Sequence, residues 1–142
     1  MAKYKFTLSA YLQMYINGIL EYYPDNKKQL ALLKDSMIPS AISQYGPRIG
    51  GSFDSEQRPT EDITIMRNQT YIMEQERILL AVESVLSKLS DQDMELVRLR
   101  YWSGELTPDG IAMKLNIDRA TMYYRLNNIQ VELARRLGLV NI

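Results

Sequence analysis

Within residues 89–138, two helix-start signals and one tight turn leave the chain little choice but a small stack of helices. Ser90-Asp91-Gln92-Asp93 opens a helix, with Ser90 able to accept from backbone amides and Asp93 at the capping-box position. Gly104 suits the end of that helix, because glycine takes a left-handed cap without a Cβ penalty. Thr107-Pro108 then pairs an N-cap with a proline at the first helical position, where its missing N–H costs nothing. Ile111, Ala112 and Leu115 give this short helix an inner face, and Ala112 is small where two helices must cross closely. Asn116-Ile117-Asp118 makes the following turn, with Ile117 as its plug and Asp118 as the cap of the last helix. There Met122, Leu126, Ile129, Leu133 and Leu137 recur three or four residues apart, which assigns the buried stripe.

A brace helix, a short helix, a turn and a second helix are the parts of a helix-turn-helix, whose last helix enters the DNA major groove. With the stripe assigned inward, geometry leaves Arg119, Ala120, Thr121, Tyr123, Tyr124, Arg125, Asn127 and Asn128 outside on the early turns. Arginine can donate a bidentate pair to guanine and asparagine to adenine, while a small alanine permits contact with a thymine methyl. Tyrosine offers a hydroxyl to phosphate or base edges. These eight are the predicted DNA-binding residues. Arg135 and Arg136 complement the negative end of the helix dipole before they serve phosphate.

Upstream, Leu8, Leu12, Tyr15, Ile16, Ile19 and Tyr22 form one helical stripe, with Thr7 or Ser9 as cap. Pro24 is expected to end this helix, since the residue before a proline avoids helical geometry. A second helix over 25–37, with Leu30, Leu33 and Met37 inward, completes a predicted N-terminal helical hairpin at 1–39. Residues 40–59, with Gly46-Pro47, Gly50-Gly51 and Pro59, read as a flexible linker. An ordered arm reaching DNA or a neighbouring subunit through Arg48 and Arg58 is the alternative there. The glycines lack the following Lys-Ser/Thr of a phosphate loop. Thr60, with Glu61 and Asp62, reads as the start of a long connecting helix over 60–88. In it Ile65, Ile72, Leu79 and Leu86 repeat every seven residues, with Asn68, Gln75, Val82 and Leu89 along the second seam. Such a repeat suits a coiled-coil partner, hence a homo-oligomer, or packing on the same chain's N-terminal helices. The expected fold is all-α, ending in a helix-turn-helix domain at 89–142.

Composition narrows the chemistry. The 142 residues include no cysteine and no histidine, so thiolate nucleophiles, thiolate metal sites and imidazole bases are excluded. Glu74 and Glu76, or Asp91 and Asp93, are two residues apart, a spacing that does not put two side chains on one helix face. The expectation is no enzyme, no cofactor and no metal. Seventeen basic residues balance seventeen acidic ones, which excludes a polybasic binder but not a domain with one basic face. No signal peptide and no 18-residue apolar run is evident, so a cytoplasmic protein without a membrane partner is expected.

The segment LSDQDMELVRLRYW followed by LTPDGIAMKLNIDRATMYYRL resembles the DNA-binding module of sigma-factor region four over roughly the last third of the chain. The order of the whole chain adds to this: Tyr23-Pro24, then Ile49-Gly50-Gly51, then Thr60-Glu61 opening a long helix. That order resembles the RinA-type transcriptional activators of Gram-positive phages and prophages, with the ArpU-type phage regulators close by. The resemblance implies activation of late packaging and lysis genes by binding promoter DNA and engaging host RNA polymerase. By position it carries recognition to Arg119, Ala120, Tyr123, Tyr124 and Asn127. Two other readings stand beside it: a small-terminase-like DNA-packaging protein, and a sigma-like polymerase-binding module with little DNA affinity of its own.

Overall fold

The computed structural model describes residues 6–45 and 58–142, and the side chains of 6–35 and 68–142. Every element among them is helical: α1 (Ala10–Tyr45), α2 (Arg58–Leu86), α3 (Asp91–Val97), which runs on as a π-helical turn (Arg98–Ser103), α4 (Pro108–Lys114) and α5 (Arg119–Arg136). None of these helices is long and apolar enough to cross a membrane. The chain divides into two compact units, one made of residues up to Tyr23 with Leu80–Ile142, the other of Pro24–Leu79.

The expected hairpin does not form, because α1 continues through Pro24. A proline inside a helix removes the N–H that would bond the carbonyl four residues back, here that of Leu20. The Trp102 indole N–H donates to the Leu20 carbonyl instead, at 2.8 Å. Tyr23 stacks on the same indole with ring centroids 6.1 Å apart, and its hydroxyl donates to Glu83 Oε2 at 2.8 Å. Trp102, 82 positions on from Leu20, thus repairs the break that the local sequence announces.

Two further expectations shift. Part of the predicted 40–59 linker is helical: α1 reaches Tyr45 and α2 starts at Arg58, so Thr60 lies inside α2 rather than capping it. The rest of that linker, 46–57, lies outside the described residues, as does the side chain of Ile65. On α1, Tyr15 and Tyr22 of the predicted inner stripe are exposed, whereas Leu8, Ile16 and Leu20 are buried.

The core of the first unit joins α1 (Ile16, Leu20), the end of α2 (Val82, Val85), α3 and its π turn (Leu96, Val97, Leu99) and most of α5. Every member of the predicted α5 stripe is buried, Met122, Ile129 and Leu133 completely. Val131, Ala134 and Asn128 are buried too. The second half of α5 is therefore enclosed on more than one side, whereas its first turns are largely exposed. In the other unit Leu30 is buried, and Lys34 pairs with Glu76 between α1 and α2.

Candidate nucleic-acid interface

Side-chain caps start α3 and α4, and left-handed residues end the π turn, α4 and α5. Ser90 Oγ accepts from the Asp93 amide at 3.2 Å, and Thr107 Oγ1 from the Gly110 amide at 3.1 Å. Gly104, between them, has the left-handed φ of 65° that the turn needs. At the end of α4 Asn116 is left-handed, with φ 57°. Its amide donates to the Met113 carbonyl at 3.1 Å, and the Ile117 amide to the Ala112 carbonyl at 3.0 Å. This paired pattern is a Schellman motif with asparagine in the place glycine usually takes. The end of α5 repeats it around Gly138 (φ 76°), with Gly138 N–H to Arg135 and Leu139 N–H to Ala134.

Asp118 has the extended backbone of an N-cap, but its carboxylate accepts from the Thr121 hydroxyl rather than from a backbone amide of the helix. That bond holds the Asp118 carboxyl below its ordinary pKa. It also commits the hydroxyl of half-buried Thr121 to the cap residue.

Thr121 apart, the predicted contact residues separate into two groups. Arg119, Ala120, Tyr123 and Tyr124 are exposed on the first turns of α5. Arg119 Nη1 lies 3.3 Å from Asp109 Oδ1, and its guanidinium sits 5.5 Å from the Tyr123 ring centroid. Tyr123 first, and Asp109 second, raise the Arg119 pKa above its ordinary value, so the charge is permanent. Both members of the ion pair are more than half exposed, at 59% and 69%. An exposed pair of that kind is worth about 0–1 kcal/mol, so Arg119 can exchange Asp109 for a phosphate or base at little cost.

The other group faces inward. Asn128 is buried and cannot reach a ligand, a correction to its predicted role. Its position follows from α5 being covered on more than one side, which the spacing of one stripe does not reveal. Arg125 turns toward α3, donating to Gln92 Oε1 and lying 3.5 Å from Asp93 Oδ1. Gln92 Nε2 in turn donates to the Leu115 carbonyl at 3.2 Å. Arg125 therefore braces α5 against α3 and the turn. Asn127 is half-buried: its Nδ2 donates to the Phe6 carbonyl at 3.1 Å, which ties the N-terminal segment to α5.

Sequence spacing does not disclose the hollow that these outer residues share. It measures about 830 Å³ and is lined by Ala120, Tyr123, Tyr124 and Asn127 of α5, Gln13 and Asn17 of α1, and Arg100 of the π turn. Its floor is a polar network. Tyr101 Oη donates to Asn17 Oδ1 at 2.8 Å, and Gln130 Nε2 reaches both, at 3.0 and 3.1 Å. Burial lifts the Tyr101 phenol above its ordinary pKa and keeps it a neutral donor. The Arg100 guanidinium lies 5.2 Å over the Tyr101 ring. Arg100, Gln13 and Asn17 reach the site only through tertiary packing, and no local signal marks them.

The outer α5 residues and the hollow offer a mixed surface: cationic at Arg119 and Arg100, aromatic at Tyr123 and Tyr124, small at Ala120. Such a surface can meet phosphate, a base edge and a methyl group together. Compared with protein-family models, curated proteins and solved structures, the chain matches none.

Proposed function

We propose that the chain is a sequence-specific, double-stranded-DNA-binding transcriptional regulator that reads the major groove with the first turns of α5. The observation that carries this reading is the α4–turn–α5 geometry. Two capped helices are joined at left-handed Asn116, and four side chains of mixed DNA-contacting chemistry are exposed at the start of the second. The start of an 18-residue helix also brings the positive end of its dipole to the same place. The resemblance to the RinA-type activators narrows the proposal. The regulator acts in the cytoplasm of a bacterial host, on phage or prophage late genes, together with host RNA polymerase. It works as a binding protein, not an enzyme, and needs neither cofactor nor metal.

Footprinting of candidate late promoters by the purified chain, with and without host RNA polymerase, tests this. Protection by the chain alone, extended when polymerase is added, is the expected result. Protection only when polymerase is present would favour the sigma-like polymerase module, and no protection in either case would reject the proposal.

A further inference from the structure

The inner face of α1 is accounted for by the core, but its outer face is not. Ile16 and Leu20 are fully buried. On the opposite side Tyr11, Met14, Tyr15 and Tyr22 recur at helical spacing around Gly18, at 78%, 76%, 43% and 61% exposure. A soluble helix usually sets polar residues opposite its buried stripe; here only the carboxylates of Glu21 and Asp25 interrupt the tyrosines and the methionine on that side, which leaves a second, largely apolar surface to cover. A Cβ added at Gly18 would meet nothing within 4 Å, so the centre of this stripe is open.

We infer that this face of α1 docks a second copy of the same chain, the two α1 helices crossing antiparallel at Gly18. The stripe is built to match itself. Bulky side chains stand three and four residues before the glycine and four after it. An antiparallel crossing therefore brings Met14 of one copy level with Tyr22 of the other, and Tyr15 level with Glu21, whose carboxylate can accept from the tyrosine hydroxyl. Sulfur against an aromatic ring is a favourable contact. Glycine at the crossing point lets the backbones approach while the tyrosines close the space on either side. The antiparallel sense also sets the two helix dipoles head to tail.

An aromatic side chain buries 150–250 Å², so at these exposures the stripe offers on the order of 500 Å² per copy. Full burial gives a total of roughly 1,000 Å², the lower limit for a specific interface and the size of a dimer that forms and dissociates with concentration. The inference does not depend on the DNA-binding proposal, since the face lies on α1, across the helix from Ile16 and Leu20.

Because the chain has no cysteine, Gly18→Cys introduces a single thiol into an open position. A disulfide requires Cα atoms within about 7 Å, a distance that only a close crossing at this residue provides. Under oxidising conditions Gly18→Cys should yield a covalent dimer in high yield. Met14→Cys and Tyr22→Cys should cross-link to each other when mixed, and far less when each is alone. Sedimentation of the unmodified chain should show a concentration-dependent monomer–dimer equilibrium, shifted to monomer in Tyr22→Glu with its helical circular dichroism unchanged. A monomeric mass at every concentration, or no cross-linking of Gly18→Cys, overturns the inference. Efficient cross-linking of Tyr22→Cys alone would overturn the antiparallel arrangement. Because none of these readouts involves DNA, failure of the regulator proposal would leave them unchanged.

Discussion

At the residue scale, Trp102 and Tyr101 do work that their neighbours in sequence do not suggest. Trp102 supplies the Leu20 carbonyl with the donor that Pro24 lacks. Trp102→Phe should therefore cost about 1–3 kcal/mol, the penalty of leaving a buried acceptor without its partner. In a Pro24→Ala background the helix supplies its own N–H, so the same substitution should cost clearly less. Chemical denaturation of the four variants in a double-mutant cycle measures the difference. Tyr101 makes a pH prediction. Burial raises its pKa above 10.0, so the folded state favours the protonated phenol. Its contribution to stability is complete below the unfolded-state pKa of about 10 and is lost as pH rises through the higher folded value. Thermal melts from neutral to strongly alkaline pH should show that loss beginning near pH 10, and Tyr101→Phe should flatten it.

At the element scale, the α4–α5 turn is the most exacting piece of backbone. Asn116 holds a left-handed conformation that costs most L-residues roughly 1–2 kcal/mol and glycine nothing. Asn116→Ala should destabilise the module by about 1 kcal/mol, while Asn116→Gly should be neutral or slightly stabilising, both read from denaturation midpoints. Met122 anchors the other side of that turn and is fully buried. Met122→Asp should unfold the module, because an unpaired carboxylate in the core costs several kcal/mol against a total stability of about 5–15. Met122→Leu should cost less than about 1.5 kcal/mol. Circular dichroism of the two variants distinguishes charge burial from mere loss of shape.

What is legible in the sequence also differs by element. Ser90, Thr107, Gly104 and the Met122-to-Leu137 stripe act within a few residues of themselves, so a local reading of them agrees with the helices observed at α3, α4 and α5. Pro24 misleads for the same reason: its local instruction is to stop, and the group that cancels it sits on the π turn. Asn128 reads as an outer residue because one apolar stripe says nothing about a second covering surface. The hollow escapes any local reading, since Arg100, Asn17 and Tyr124 meet only in the folded unit.

At the scale of the whole molecule, equal numbers of acidic and basic residues mean that any DNA affinity rests on a few local cations rather than on net charge. Binding should weaken with salt along a shallow slope, about 0.9 per phosphate contact, because few counterions are released. A dimer through α1 would double the contacts without changing the module. Arg119→Ala and Tyr124→Ala, both at exposed positions, should keep the fold and each weaken specific binding by about 1–3 kcal/mol.

The claim that the first turns of α5 read DNA sequence is tested most directly by selection from a pool of random duplexes with the purified chain, followed by sequencing. The wild-type chain should enrich one defined motif, and Arg119→Ala and Tyr124→Ala, folded by circular dichroism, should lose that enrichment or change its preferred bases. Failure of the wild-type chain to enrich any motif, or enrichment of the same motif with equal strength by both variants, would contradict it.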